Sequence, residues 1–239
     1  MTAAEGVTRS ADPPAGGHQR DILVLCLGSL LFSTSFQLLT AVVPLRAVDL
    51  GATGLEIGLI TGVFAGTSLL ARPLVGWLLD RGRRLPLVLL GAGIFALSSF
   101  GYTLIASVLA LLALRSVHGL GMATQTTASQ TLVVDLAPPA VRGSVLGLLG
   151  ATPSIAMAIG PAAGAALLMA AGYHPVFYLS CGLAALAVLI SAAVREPAPA
   201  RHALKRGPWR PVHPAVVWPG IALVALQFGF GATTSFVPI

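Results

Sequence analysis

A short run of charged residues between two long apolar stretches of this chain could form ion pairs. Residues 76–84 read Gly-Trp-Leu-Leu-Asp-Arg-Gly-Arg-Arg, which places one carboxylate beside three guanidinium groups. The glycine within the run allows a tight turn, and a partly buried ion pair can hold two helices together and then release them. The residues of this candidate ion-pair site are Gly76, Asp80, Arg81, Arg83 and Arg84.

Polar side chains also recur at helical spacing inside apolar stretches, so that each set shares one helix face. They are Arg115, His118, Met122 and Gln125 in the fourth stretch, Ser33, Gln37 and Thr40 in the first, and Gln227 in the seventh. Serine and threonine can bond their own helix carbonyls, whereas Gln37 and Arg115 need other partners. For His118, helix packing and a place in a polar cavity both fit the pattern.

Seven long apolar stretches carry these residues, and each is long enough to cross a membrane. About 20 helical residues span the roughly 30 Å of hydrocarbon in a bilayer. The predicted spans are residues 22–43, 57–79, 86–105, 108–135, 144–168, 175–194 and 215–238. With 56% hydrophobic and 9% charged residues, a soluble fold could not bury this surface. The predicted fold class is therefore an all-α, polytopic membrane bundle.

The lysine and arginine residues predict the orientation of these helices. Of 14 such residues, Arg72 and Arg115 lie inside spans and Arg46 lies in a connection on one side, which leaves 11 on the other side. Cytoplasmic connections carry the excess of basic residues, so the N-terminus is predicted to be cytoplasmic in a multi-pass plasma-membrane protein. The net charge of +6 then reflects topology and anionic lipid, and does not indicate nucleic acid.

The chain is predicted to contain four regions. They are a disordered cytoplasmic tail at 1–21, a six-helix transmembrane domain at 22–194, a basic cytoplasmic linker at 195–214, and a seventh helix at 215–239. Residues 43–45 and 237–239 share a Val-Pro-aliphatic sequence, so the seventh helix is interpreted as the start of a second copy. On this interpretation the chain is a truncated part of a protein with two halves, and it contains the first half and the first helix of the second.

Two of these patterns resemble motifs of the major facilitator superfamily. Residues 76–84 are similar to its loop Gly-x-x-x-Asp-Arg/Lys-x-Gly-Arg-Arg/Lys, with the second glycine and the paired arginines one residue early. Residues 115–121 resemble its Arg-x-x-Gln-Gly-x-Gly signature, with His118 in place of glutamine. The resemblance implies that the charged residues of this loop form a conformational latch, which locks the cytoplasmic side. It also implies that Asp135 is the carboxylate that pairs with the loop. We assign Arg142, in the next cytoplasmic connection, to the same latch.

The fifth stretch resembles a third motif, which this family associates with proton-driven antiporters. It contains Gly147, Gly160, Pro161 and Gly164 at the family's spacing, with alanine replacing two of its glycines. Small residues at this spacing allow close packing of helix backbones, and Pro161 can bend the helix. We expect helix packing and bending at these positions.

The resemblance also implies function: a secondary transporter that works by alternating access, with the first, fourth and seventh helices lining a central cavity. The polar residues of those helices are then the candidate substrate cavity. An arginine inside a span costs about 2.5–3.5 kcal/mol, so Arg115 should face that cavity and not lipid. None of the eight acidic residues lies in the middle of a span, which favours an apolar or neutral substrate. Any coupling proton would bind His118, a carboxylate at a span end, or a residue outside this chain.

The predicted function is proton-linked efflux of small, largely apolar or neutral compounds by a monomer without cofactors. A metabolite uptake carrier or uniporter, and a non-functional truncated fragment, are the alternatives. An enzyme is not expected, because Gly91-Ala-Gly93 lies inside an apolar helix and is no phosphate loop. His118 and Asp135 lack a nucleophile at helical spacing, and the sequence has no metal-binding cluster.

Overall fold

The computed structural model describes residues 15–196 and Trp218, and six long α-helices occupy the first of these ranges. They are α1 (Ala15–Asp49), α2 (Gly54–Leu79), α3 (Leu85–Gly101), α4 (Val108–Leu136), α5 (Arg142–Ala171) and α6 (Tyr173–Ser191). Residues 15–196 contain no β-strand, and the all-α prediction is confirmed. The predicted seventh helix, apart from Trp218, and the linker from residue 197 onward lie outside the described residues, as does Gln227.

The first helix is longer than the sequence predicts at both ends. It begins at Ala15 and ends at Asp49, whereas the predicted span covers residues 22–43. The prediction of a disordered tail is therefore wrong for residues 15–21, because adding turns to an existing helix avoids the cost of nucleation. At the other end α1 continues through Pro44, since one proline removes only one backbone hydrogen bond and packed neighbours can support the helix.

Several helices begin at a side chain that accepts a backbone N–H group, or at a glycine that allows the chain to turn. The Thr53 hydroxyl accepts the Glu56 N–H at 3.4 Å, while the Glu56 carboxylate accepts the Thr53 N–H at 2.7 Å, which forms a capping box for α2. The Ser107 hydroxyl accepts the Ala110 N–H at the start of α4. Gly172, with φ of +84°, turns the chain from α5 into α6 in one residue. These features fix where α2, α4 and α6 begin.

Five helical segments of the described chain are long and apolar enough to cross a membrane, and α4 is not among them. This helix has 29 residues, ample for a span, but polar side chains on two of its faces lower its hydropathy. It packs between α2 and α3, while α1 packs between α5 and α6, and α3 also contacts α6. The helix least suited to lipid by composition is therefore flanked by protein.

Glycines allow α4 to approach its two neighbours at backbone distance. A methyl group added to Gly119 would overlap the backbone of Phe64 in α2, and one added to Gly121 would lie 2.9 Å from the carbonyl oxygen of Gly91 in α3. Gly91 in turn faces the backbone of Gln125. Small residues at such crossings permit the close van der Waals packing that holds membrane helices together.

Glycines also allow α1 and α5 to approach each other closely. A methyl group on Gly160 would overlap Gln37, and one on Gly164 would overlap the backbone of Leu38. Gly147 lies in the same helix but has no atom within 4 Å of the corresponding position. Thus two of the three glycines in the α5 motif pack against α1, and the third is open.

We expect Gly164→Ala to destabilise the six-helix domain, because its methyl group would overlap the Leu38 backbone, which cannot move as a side chain can. Overpacking of this kind costs about 1–3 kcal/mol. The matched control is Gly147→Ala on the same helix, which adds the same methyl group into open space. Thermal denaturation of the complete protein in detergent measures the difference. Equal midpoints for the two variants would contradict the packing argument.

Candidate functional site

Adjacent arginines in the α2–α3 connection contact two different helix ends. The Nε atom of Arg83 lies 3.2 Å from Oε2 of Glu196, just after α6, and Nε of Arg84 lies 2.9 Å from Oδ2 of Asp135, near the end of α4. The Arg84 N–H is not aligned with that oxygen, so this contact is an ion pair without a well-formed hydrogen bond. The structure thus brings Asp135 to the connection, with Arg84 as its neighbour.

Glu196 is a site residue that sequence reasoning missed. Its side chain is 3% exposed and accepts the backbone N–H groups of Arg84 at 2.5 Å and Leu85 at 3.4 Å. These groups lie at the start of α3, where backbone donors have no partner within the helix and a negative charge is favoured. Glu196 therefore caps α3 from more than 100 residues away. No local spacing could indicate this contact.

The other predicted latch residues take no part in these ion pairs. Asp80 is exposed at the end of α2, where its backbone N–H donates to the carbonyl oxygen of Gly76 at 3.0 Å. The Arg81 guanidinium lies 3.5 Å from the centre of the Trp77 ring. Arg142 donates from Nε to the carbonyl oxygen of Ala137 at 3.3 Å. Within residues 15–196, Arg83, Arg84 and Asp135 of the predicted latch form ion pairs. Its other charged residues, Asp80, Arg81 and Arg142, do not.

The face of α4 predicted to line a cavity is buried instead. Arg115, His118 and Gln125 are 5%, 0% and 3% exposed, and Met122 packs against a buried apolar cluster. The prediction of an open cavity along this face is wrong. The glycine crossings bring α2 and α3 so close to α4 that the polar side chains beside them are enclosed.

His118 has the environment of a packing residue. Its Nδ1 atom lies 2.8 Å from the Tyr102 hydroxyl, and its ring centre lies 3.8 Å from that of Phe95. Its Nε2 atom is buried and has no partner in the part of the chain that the structure describes. Of the two interpretations that the sequence allows, these contacts favour packing between α3 and α4.

Arg115 is enclosed by aromatic rings. Its guanidinium carbon lies 5.2 Å from the centre of the Phe64 ring and 5.8 Å from that of Tyr102, while its Nε atom has no hydrogen-bond partner among residues 15–196. Cation–π contacts of this kind contribute about 0.5–2 kcal/mol, which offsets part of the cost of burying the charge. The side chain therefore faces the interior of the bundle and not lipid.

The polar residues predicted on α1 lie near its contact with α5. Gln37 is 8% exposed, and its Oε1 atom accepts a hydrogen bond of 3.1 Å from the Thr40 hydroxyl. Thr40 is exposed and Ser33 is partly buried. Pro161 lies within α5, which continues as one helix on both sides of it. The structure therefore joins Gln37 to Thr40 and places Gln37 against Gly160 of α5.

A second polar face of α4 is open, and the sequence analysis did not select it. Thr127, Gln130, Thr131, Val134 and Asp135 line a pocket of about 370 Å³ together with Leu146 of α5. Thr127 lies nine positions after His118, about two and a half turns, and so on the opposite side of the helix. The spacing of these residues was a usable signal. Periodicity alone could not say which of two polar faces would be covered.

Comparison with known proteins identifies the family of this bundle. The model of the Major Facilitator Superfamily matches residues 25–239. The chain belongs to the major facilitator superfamily. As a member of this family of membrane transporters it is not an enzyme, in agreement with the sequence-based prediction.

Two bacterial members of the superfamily illustrate the similarity. The multidrug efflux pump SdrM of Staphylococcus aureus is 26% identical over 171 residues, which are 71% of this chain and 38% of that protein. The quinolone resistance protein NorA, also of Staphylococcus aureus, is 24% identical over 172 residues, 72% of this chain and 44% of its own length. The chain thus spans less than half the length of either relative.

A solved structure of the superfamily has the same fold. It is a bacterial homologue of the human lysosomal transporter Spinster, in an inward-facing and unoccupied conformation. The TM-score is 0.68 at 21% identity, over 87% of this chain and 48% of that one.

We expect Glu196→Ala to destabilise this superfamily member, because it leaves the first backbone donors of α3 without an acceptor. Loss of a helix cap costs about 0.5–2 kcal/mol, and the Arg83 ion pair adds little because the arginine is 63% exposed. Thermal denaturation should show a lower midpoint than for Arg195→Ala, which changes the exposed neighbour. An unchanged midpoint in Glu196→Ala would remove the capping role.

Arg115→Lys is expected to lower stability by about 1–2 kcal/mol, since a flexible ammonium cannot replace a planar guanidinium between two rings. Arg72→Lys, at an exposed position of α2, is the matched control and should leave the thermal midpoint unchanged. If both lysine variants denature at the wild-type temperature, the aromatic enclosure of Arg115 does not contribute to stability.

Proposed function

We propose that the protein containing this chain is a plasma-membrane transporter that works by alternating access and exports small, largely apolar or neutral compounds in exchange for protons. In this proposal residues 22–194 are the first half, residues 195–214 are a cytoplasmic linker, and residues 215–239 begin the second half. The N-terminus is cytoplasmic, and the transporter acts as a monomer.

The observation that carries the proposal is that the Asp80 carboxylate is exposed and takes no part in the ion pairs of the bundle. This carboxylate is exposed beside Arg81, outside the ion pairs that join the α2–α3 connection to α4 and α6. Because the six-helix bundle does not use Asp80 for its own packing, the carboxylate is available to another part of the protein. A contact that is made in one state and broken in another is what a conformational latch requires.

Two lines of support favour export. SdrM and NorA are named as a multidrug efflux pump and a quinolone resistance protein, and both align with more than two thirds of this chain. The α5 motif resembles that of proton-driven antiporters, and its Gly160 and Gly164 make the close contacts that such a motif allows.

The coupling proton needs a group that water can reach. His118 is fully buried in an aromatic cluster, so it is a poor candidate. Among the described residues, Asp80 and Asp135 are exposed carboxylates at the ends of α2 and α4, which are cytoplasmic in this proposal. We propose that coupling uses one of these or a residue outside residues 15–196.

Transport by the complete protein in proteoliposomes tests this function, with the neutral fluorophore N-phenylnaphthylamine as the probe. An acidic interior should drive accumulation in vesicles whose transporters face inside out, and Asp80→Asn should reduce the initial rate at least about tenfold without changing protein abundance. Asp49→Asn, at the other end of the bundle, is the matched control and should transport normally.

Other outcomes would contradict parts of the proposal. Accumulation that is independent of the pH gradient would indicate a uniporter, and a reversed dependence on the gradient would indicate uptake. Normal transport by Asp80→Asn would exclude the latch.

A further inference from the structure

Polar contacts hold the end of α1 in place, at the end of the bundle opposite the α2–α3 connection. The hydroxyl of Tyr173, the first residue of α6, donates to Oδ2 of Asp49 at 2.5 Å. The Arg46 guanidinium donates from Nη2 to the carbonyl oxygen of Ile105 at 3.2 Å, and its carbon lies 5.2 Å from the centre of the Tyr173 ring. Arg46, Asp49 and Tyr173 therefore form a clamp that joins α1 to α6 and to the α3–α4 connection.

Pro44 marks a point at which this end of α1 can move separately from the rest of the helix. A proline has no N–H group to donate to the carbonyl oxygen four residues earlier, which here belongs to Thr40. In the two turns before Pro44 four apolar residues are buried, whereas Ala47 is the one buried apolar residue in the part of α1 that follows it. Apolar burial therefore contributes little to holding residues 45–49 in place.

The middle of α1 is fixed to α6 by a buried pair of serines. The Ser35 hydroxyl lies 2.7 Å from the Ser180 carbonyl oxygen, and the Ser180 hydroxyl lies 3.0 Å from the Ser35 carbonyl oxygen. Both side chains are fully buried, so breaking this pair would leave polar groups with neither water nor a protein partner. Ser35 therefore anchors α1 to α6 at a point nine residues before Pro44.

The clamp can open at a lower cost in free energy than the serine pair. Asp49 is exposed, and its hydrogen bond with Tyr173 lies at the surface, where water can replace either partner. In the closed position the Arg46 Nε atom is buried and has no hydrogen-bond partner among the described residues. Burial of a donor without a partner is unfavourable and offsets part of the stabilisation that the clamp provides. The clamp thus holds the helix end in a position from which it can be released.

We propose that residues 45–49 are a movable end of α1, which swings about Pro44 when the clamp opens and returns when it closes. Arg46 and Tyr173 are positioning residues that hold this end against α6, while the anchor at Ser35 keeps the rest of α1 in place. The proposal rests on the proposed transport function and adds a local movement to it, at the end of the bundle opposite Asp80.

Hydrogen–deuterium exchange of the complete protein in detergent, followed by mass spectrometry, tests the movement. We expect Tyr173→Phe to raise the exchange rate of the backbone amides in residues 45–50 about 3–10-fold, the effect of one lost hydrogen bond. Pro44→Ala restores the missing backbone donor and should lower that rate at least about threefold. Asp49→Asn is the matched control, because its amide oxygen still accepts the Tyr173 hydrogen bond, and it should exchange as the wild type does.

The position of the change along α1 is a second readout. In all three variants the residues around Ser35 should exchange at the wild-type rate, because the serine pair holds them. An unchanged rate at residues 45–50 in Tyr173→Phe would overturn the clamp. Faster exchange along the whole of α1 in that variant would show general destabilisation and would overturn the separate movement of the helix end.

Transport of N-phenylnaphthylamine in proteoliposomes tests whether the movement is part of the transport cycle. Pro44→Ala should lower the initial rate at least about threefold at unchanged protein abundance, because the helix end opens less often. Normal transport by this variant, with slower exchange, would overturn a role of the movement in transport. If the wild type does not transport the probe, the proposed function fails, while the exchange rates, measured without substrate or pH gradient, still decide whether the helix end moves.

Discussion

The close approach of α4 to α2 and α3 is the constraint on which the rest of the bundle depends. Gly119 and Gly121 have no side chains, so the backbones of three helices meet almost in contact. In a membrane, where lipid tails are as apolar as leucine, such packing supplies much of the attraction between helices. It also encloses whatever side chains lie beside the glycines, which in this chain include a histidine and an arginine.

That enclosure separates two roles on one helix. The buried face of α4 holds Arg115 and His118 among aromatic rings and contributes to the interior of the bundle. The opposite face holds Thr127 and Gln130 at an open pocket. At the end of the same helix, Asp135 meets the α2–α3 connection through Arg84. Thus α4 packs against other helices along one side, presents an open polar surface along the other, and forms an ion pair near its end.

The sequence predicts the fold well and the site only in part. Six helices and their order follow from apolar length, and the pairing of Asp135 with a loop arginine was expected from a family resemblance. Two errors have physical causes. Periodicity assigns residues to a face of α4 but does not say which neighbour covers that face, so the enclosed stripe was taken for a cavity. The cap formed by Glu196 joins residues more than 100 positions apart, and no local pattern predicts such a contact.

The anchoring of Glu196 affects more than the helix that it caps. Its carboxylate is bound to the first turn of α3, so the chain that follows α6 is fixed to the start of α3. Because α3 and α6 also pack against each other, two helices that are far apart in the sequence are held together both by their faces and at one end. Local opening of the chain after α6 would therefore also expose the first backbone donors of α3, which couples the stability of the two helices.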